Sequence, residues 1–119
     1  MEMTREELLK LIESKEVIGV NLSGQRLEKI DFTGCRIERT SFKGCELVHC
    51  RFRNAKISWS DFRYAEIQHG TFEGAEIEFS DFYRAFIDGV VIFSGSSFYN
   101  CSLNKTYLGE CAIIRKENL

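Results

Sequence analysis

The chain has 119 residues, of which 16 are basic and 18 acidic, and its net charge of −2 differs from the strongly basic character of most nucleic-acid-binding domains. Its length is that of one domain. Because of this charge we expect no direct binding of nucleic acid. No apolar run approaches the roughly 20 residues of a membrane-spanning helix, so we expect no membrane span.

Residues 1–16 are predicted to form a capping helix. Thr4 suits the N-cap position, and Glu7 three residues later completes a capping box. The apolar face of this helix is predicted to cover the open end of the structure that follows. Because the N-terminus is acidic rather than basic, it does not resemble a secretory signal, and we expect a cytoplasmic protein.

Large apolar residues recur with a spacing of five in the next stretch. From Leu22 to Ile92, every fifth residue is Leu, Ile or Phe, which gives fifteen such positions in a row. This spacing makes no stripe on an α-helix, and on a flat strand it would alternate between the two faces. All of these side chains can point inward only if the chain turns a corner in each group of five. The spacing therefore predicts short strands and turns wound around one axis.

Two other positions of each pentad support this coil. The residue two places before the large one is mostly small, as at Cys45 and Ala65, and is predicted to point inward. The last residue of each pentad lies at the corner and is often Gly or Asn, as at Gly44 and Asn54, because these residues tolerate a positive φ. The chain has no Pro, so every backbone N–H can join a ladder.

Pentads 60–64 (Ser-Asp-Phe-Arg-Tyr) and 80–84 (Ser-Asp-Phe-Tyr-Arg) resemble the unit of the pentapeptide-repeat family, which is a small residue, Asp or Asn, Leu or Phe, and two variable residues. Other pentads depart from it, with Glu, Arg or Lys in second place. The resemblance covers roughly residues 18–114. It implies an all-β fold, a right-handed quadrilateral β-helix with four pentads per coil, here over residues 17–119.

One coil is expected to be irregular, at residues 88–97. The large residues step there from Ile92 to Phe98, which is six residues instead of five. We expect a bulge or small loop of one extra residue, with Val91 and Phe93 facing outward.

The residues that could support chemistry favour structural roles. The five cysteines occupy the small inward position and form no CxxC pair, so we favour packing over disulfide or metal binding. His49 and His69 are predicted to stack at one corner, but no third ligand of the right type lies nearby. The outward carboxylates lie on a convex surface without a pocket. We therefore predict no catalytic residue, no metal site, no cofactor and no enzyme activity.

One outer surface combines aromatic and arginine side chains, which is typical of protein-binding hot spots. Residues twenty apart are predicted to stack, which pairs Trp59 with Phe79 and Tyr64 with Arg84. The alternative is that these aromatic residues pack along a corner for stability alone. The predicted protein-binding residues are Trp59, Arg63, Tyr64, Phe79, Tyr83, Arg84 and Phe86.

The C-terminal coil has no second helix to cover it. An uncovered apolar coil favours end-to-end pairing, so we predict a homodimer through this end. The alternative is that the chain is part of a longer protein. The predicted interface residues are Tyr107, Leu108, Ile113 and Ile114.

The leading hypothesis for function is a non-catalytic scaffold or protein-interaction module with an unknown protein partner. The resemblance implies an alternative, because some members of the family resemble duplex DNA in shape and charge and bind DNA gyrase, inhibiting it or shielding it from drugs. That role requires a long and strongly acidic dimer, whereas this chain has fewer than five predicted coils and a net charge of −2. A structural part of a larger assembly is a third hypothesis.

Overall fold

The computed structural model describes residues 2–109 and the backbone of residues 112–113. Within these residues one helix, α1 (Arg5–Ser14), precedes a series of short strands. The strands are β1 (Glu16–Ile18), β2 (Arg26–Glu28), β3 (Arg36–Glu38), β4 (Glu46–Val48), β5 (Lys56–Ser58), β6 (Glu66–Gln68), β7 (Glu76–Glu78), β8 (Phe86–Asp88), β9 (Val91–Ile92), β10 (Ser97–Tyr99), β11 (Tyr107–Leu108) and β12 (Ala112–Ile113).

Helix α1 has the capping box that the sequence predicts. The Glu7 N–H donates to the Thr4 hydroxyl at 3.1 Å, and the Thr4 N–H donates to the Glu7 carboxylate at 2.9 Å. The helix ends at Lys15, which adopts the left-handed conformation. Leu8 is buried in the core, and Ile12 packs against it in part. The helix therefore covers the interior of the first coil.

The strands pair in parallel with strands one coil away and form two opposite sides of the molecule. One sheet has the order β1-β3-β5-β7-β10, the other has the order β11-β8-β6-β4-β2, and β12 pairs with β9. Most pairs join residues twenty apart, as Ile37 with Ile57. The fold is therefore the predicted right-handed, four-sided β-helix, and it has about five coils.

Isolated parallel bridges, together with the β9–β12 pair, build the other two sides of the β-helix. The Asp61 side contains the bridged residues Asn21, Ser41, Asp61, Asp81 and Ser102. The Arg51 side contains the bridged residues Asp31, Arg51, Thr71 and Ile92. Because each coil passes through a strand between these two sides, the Asp61 side and the Arg51 side lie on opposite faces of the molecule.

Stacked phenylalanine rings fill the interior in two columns. In one column the Phe32 and Phe52 ring centres lie 4.7 Å apart, at an interplanar angle of 7°. In the other column Phe62 stacks on Phe82 at 4.6 Å and 4°. The columns meet edge to face, as Phe42 and Phe52 do at 5.8 Å. The rings therefore contact one another both along the axis and across it, which favours a single register.

The irregular coil differs from its prediction. Phe93, and not Ile92, is the large inward residue, because Phe93 is fully buried and its ring stacks on Phe72 at 5.1 Å. Val91 is also buried and takes the small inward position, whereas Ile92 is half-buried. The expectation that Val91 and Phe93 face outward is therefore wrong.

The extra residue lies before Phe93, and it changes the register of the last coil. Ile87 pairs with Leu108, which is twenty-one residues away instead of twenty. The spacing of five hides the position of this insertion, because Ile92 falls five residues after Ile87 and is as apolar as its neighbour. The ring of Phe93 adds one more stacked contact to the column of Phe72, and an isoleucine has no ring to supply that contact.

Replacing one ring in the middle of a column should destabilise the fold strongly. Phe62 contacts rings in the coils on both sides, so we expect Phe62→Ala to lower the free energy of unfolding by about 3–5 kcal/mol. Urea unfolding monitored by circular dichroism measures this change. Tyr99→Ala, at a ring that is 59% exposed, is the control and should cost about 1 kcal/mol or less. Equal losses in the two variants would contradict the packing.

Candidate protein-interaction surface

The corners of the coil place side chains on the outside through a left-handed backbone conformation. Gly44 and Asn54 adopt it with φ of 67° and 56°, as their residue types predict. Three aromatic residues adopt it as well, with φ of 51° at Trp59, 61° at Tyr64 and 50° at Phe79. This conformation costs an L-residue with a Cβ atom roughly 1–2 kcal/mol. These aromatic side chains therefore occupy corners that glycine would occupy without strain.

Trp59 and Phe79 at one corner, together with Tyr99 at the end of β10, form what we call the aromatic corner. The Trp59 and Phe79 rings stack with their centres 4.6 Å apart and an interplanar angle of 7°, which confirms the predicted pair. Phe79 meets the Tyr99 ring edge to face at 5.6 Å. Trp59 is 63% exposed and Tyr99 is 59% exposed. The corner therefore offers a rigid apolar surface to solvent.

The next corner carries tyrosine and arginine side chains, and we call it the Tyr–Arg corner: Arg63, Tyr64, Tyr83 and Arg84. Tyr64 meets the Tyr83 ring edge to face, with centres 5.8 Å apart. The Arg84 Nε donates to the Tyr83 hydroxyl at 3.0 Å. Tyr83 therefore supplies a polar partner of Arg84, which a spacing of twenty does not indicate.

Arg63 is held by a carboxylate. Its Nε and Nη2 donate to the two Asp61 carboxylate oxygens at 2.9 and 2.8 Å. The Arg63 backbone N–H donates to the same carboxylate at 2.9 Å. Partial burial alone would raise the pKa of Asp61, but these hydrogen bonds and the guanidinium charge lower it on balance. The uncompensated positive charge of the Tyr–Arg corner therefore comes from Arg84.

The structure separates the predicted binding residues into three groups. The aromatic corner and the Tyr–Arg corner are consecutive corners, with Asp61 and Asp81 on the side between them. Phe86 lies beyond the second corner, in β8, where its ring stacks on Tyr107 at 4.6 Å and 12°. A spacing of twenty misses this last contact, because the two residues are twenty-one apart across the insertion.

The predicted dimer interface lies at the C-terminal end of the described residues. Tyr107 and Leu108 in β11 are 50% and 45% exposed. The side chain of Ile113, in β12, and all of Ile114 lie outside the described residues. Pairing of two chains through this end stays a prediction.

The cysteines of the described part of the chain fill small inward positions. Cys35, Cys45 and Cys50 are buried and Cys101 is half-buried, and all four are free thiols. The Cys45 Sγ lies 2.9 Å from the Leu22 carbonyl oxygen, to which it donates. Burial raises the pKa of the Cys45 thiol to about 11. These thiols therefore stay protonated and unreactive near neutral pH.

The two histidines stack at their corner, as predicted. Their ring centres lie 5.3 Å apart at an interplanar angle of 18°. The Val90 N–H, in the irregular coil, donates to the His69 Nδ1 at 3.3 Å. Among residues 2–109, no three His, Cys, Asp or Glu side chains are placed to hold a metal ion together. No helix in the described part of the chain has the length and apolar character of a membrane span.

A groove that the repeat pattern does not predict lies on the Arg51 side. Adjoining hollows of about 260 and 350 Å³ meet there beside His49 and Arg51. The sequence signal that could have indicated it is Gly70, where a pentad lacks its small inward side chain. An added Cβ at Gly70 would lie 2.5 Å from the Cys50 carbonyl oxygen, so the position needs glycine.

Residues 16–82 match the sequence model of a family described as the pentapeptide repeat region. This match covers more than half of the chain. The comparison with curated protein sequences gives no match.

The solved structures that are similar to this chain include three that illustrate the range of the likeness. Trypsin-treated QnrB1, a plasmid-mediated fluoroquinolone resistance protein, aligns with a TM-score of 0.55 and 17% identity over 76% of this chain and 56% of that one. The pentapeptide repeat protein Rfr23 from the cyanobacterium Cyanothece 51142 aligns with a TM-score of 0.40 and 13% identity, over 92% of this chain and 98% of that one. A thylakoid-lumen pentapeptide repeat protein of Arabidopsis thaliana aligns with a TM-score of 0.38 and 21% identity, over 87% of this chain and 71% of that one. This chain thus spans 56% of the length of the first structure, and the likeness supports the fold alone.

The buried thiols should resist labelling in the folded protein. Because burial excludes the reagent and keeps Cys35, Cys45 and Cys50 protonated, no more than two of the five cysteines should react with Ellman's reagent at mildly alkaline pH. All five should react after unfolding in guanidinium chloride, which is the control. Rapid reaction of three or more thiols in the folded protein would contradict the described packing.

Proposed function

Since this chain belongs to the pentapeptide repeat family, we propose that it is a non-catalytic module that binds a protein partner through its aromatic corner and the adjoining Tyr–Arg corner. The observation that supports this proposal most is the exposed Trp59–Phe79 stack. Trp, Tyr and Arg are the residue types that contribute most often to binding energy in protein interfaces.

The backbone under the stack supports the proposal. Trp59 and Phe79 both adopt the left-handed conformation, which is unfavourable for large side chains. Trp59 remains 63% exposed in its stack, so the burial that would offset this strain is small. A partner that covers the two rings would bury them further. This arrangement favours binding over the alternative in which the aromatic residues serve stability alone.

Rigidity of the corner also suits binding. The two rings stack on consecutive coils, and their backbone N–H groups donate to the neighbouring coil, Trp59 to Glu78 and Phe79 to Tyr99. The adjoining Arg63 is fixed by its paired hydrogen bonds to Asp61. Side chains that are ordered before binding lose little conformational entropy when a partner covers them.

We also propose a cytoplasmic location. The four described cysteines are free, which suits a reducing compartment.

Asparagine at both ring positions should abolish partner binding without unfolding the coil. Asn54 occupies the same left-handed conformation at another corner, so Trp59→Asn with Phe79→Asn preserves the backbone of the corner. We expect the free energy of unfolding to change by about 1 kcal/mol or less. In a crosslinking pull-down from the native host, the proteins captured by the unmodified chain should be absent with this variant.

Arg39→Asn is the matched control, because Arg39 has a φ of 47° at the same corner one coil below. It should retain the captured proteins. Retention of every captured protein by the double asparagine variant would contradict the proposal. A loss of stability above about 2 kcal/mol would instead assign the stack a structural role.

A second candidate function is modulation or protection of DNA gyrase or topoisomerase by DNA mimicry. The similarity in fold to the fluoroquinolone resistance protein QnrB1 is the observation that favours it. The charge of this chain opposes it. Duplex DNA carries one negative charge per about 1.7 Å, or roughly 22 over the 37 Å length of this molecule, whereas the net charge here is −2.

The pairing of charges on the surface also opposes DNA mimicry. Arg26 bonds Glu46 at 2.8 Å and Arg53 bonds Glu73 at 2.7 Å, each pair joining neighbouring coils. Basic side chains therefore interrupt the rows of acidic ones that run from coil to coil, whereas a DNA mimic would need uninterrupted rows of acidic side chains.

A gyrase supercoiling assay separates the two candidates. We expect this protein to leave the rate of supercoiling unchanged and to give no rescue of gyrase from a fluoroquinolone, because its surface lacks the acidic field that would attract the DNA-binding channel. Reactions without the protein are the control. Inhibition or rescue that rises with protein concentration would favour the second candidate.

A further inference from the structure

A groove with free positive charges runs along the Arg51 side, on the face opposite the Asp61 side. Three adjoining hollows of about 260, 350 and 350 Å³ form it, and Arg51 lines all of them. The stacked rings of His49 and His69 border the groove on one side. The Arg53–Glu73 ion pair borders it on the other. This surface is separate from the aromatic corner.

The inserted residue shapes one end of the groove. It brings Val90 against His69, where the Val90 N–H donates to the ring Nδ1. An added Cβ at Gly89 would lie 2.6 Å from the same ring, so glycine is needed for this close contact. Val90 is 50% exposed, and together with Ile92 it gives this end of the groove an apolar surface.

The charges of the groove leave two cations available. Lys29 and Arg51 form no ion pair with another side chain within residues 2–109. Of the acidic groups beside them, Glu73 pairs with Arg53. Asp31 keeps its negative charge near Arg51, because the Thr33 N–H, at 3.0 Å, and the Thr33 hydroxyl that donate to it are neutral. Lys29, Arg51 and Arg53 against Asp31 and Glu73 leave the groove with one net positive charge, so it is complementary to an anionic ligand.

We propose that this groove binds an extended acidic peptide, with carboxylates on Lys29 and Arg51 and an apolar residue against Val90 and Ile92. The groove extends over four coils, or roughly 14 Å at 4.8 Å per rung, which about four extended residues would span. A small inorganic anion would use the cations but not the apolar end. A nucleic acid would require more cations than this face supplies.

Fluorescence anisotropy with a labelled peptide tests the proposal. The probe is an extended peptide of four glutamates between two leucines, and the control probe has glutamine in place of glutamate. The acidic probe should bind at low ionic strength, weaken as salt is added, and bind more tightly than the glutamine probe. Equal binding of the two probes, or no binding, would overturn the proposal.

Charge reversal in the groove identifies the site. Arg51→Glu should weaken binding of the acidic probe by about tenfold or more. Lys29→Glu, at an exposed corner position, should weaken it as well and provides a second test if the first variant is unstable. Lys43→Glu makes the same charge change at an exposed residue next to another corner and should leave the affinity within about twofold. If the groove variants and the control variant weaken binding equally, the weakening comes from the change in net charge. That result would contradict a binding site in the groove.

Two further measurements distinguish the ligand. Val90→Ser should reduce the preference for the leucine-flanked probe over a serine-flanked one, because the apolar end is lost. Inorganic pyrophosphate should fail to displace the probe at concentrations matched to the probe's own Kd. Displacement at such concentrations would assign the groove to phosphate groups and overturn the peptide assignment.

Discussion

The stacking of large side chains along the coil axis is the interaction on which the rest of the structure depends. Phe52 contacts Phe32 and Phe72 in its own column at 4.7 and 4.6 Å, and Phe42 and Phe62 in the other. Each ring can reach these contacts only if the chain turns a corner within every pentad. The turn in the backbone then places the residues other than the large and small inward ones outside, and residues one coil apart become neighbours on the surface.

Both candidate binding surfaces follow from this constraint. At the corners the backbone takes the left-handed conformation whether the residue is Gly44 or Trp59, because the ladder fixes its geometry. A large residue at a corner must project into solvent, where it stacks on the residue one coil away. On the opposite face, Gly70 lets the backbone approach the Cys50 carbonyl oxygen closely, and this stretch of backbone lines the groove. The two surfaces therefore owe their different shapes to individual residues, because the backbone of the coil is otherwise uniform.

The sequence alone predicts the regular part of this structure, because the period of five has one physical solution. The three-residue spacing of Thr4 and Glu7 predicted the capping box, and the period of twenty predicted the stack of Trp59 on Phe79. One extra residue in the irregular coil was expected, but its position was not, since Ile92 keeps the spacing while the ring of Phe93 takes the interior position. Side-chain partners such as Tyr83 for Arg84, and the groove, depend on three-dimensional packing that residue spacing does not contain.

The register of the ladder is the direct test of this account, and nuclear Overhauser contacts between backbone protons of facing strands measure it. We predict contacts between residues twenty apart before the insertion, such as Ile57 with Ile77, and twenty-one apart across it, such as Ile87 with Leu108. A constant offset of twenty would contradict the placement of the extra residue. Absence of contacts at these long sequence separations would contradict the coil itself.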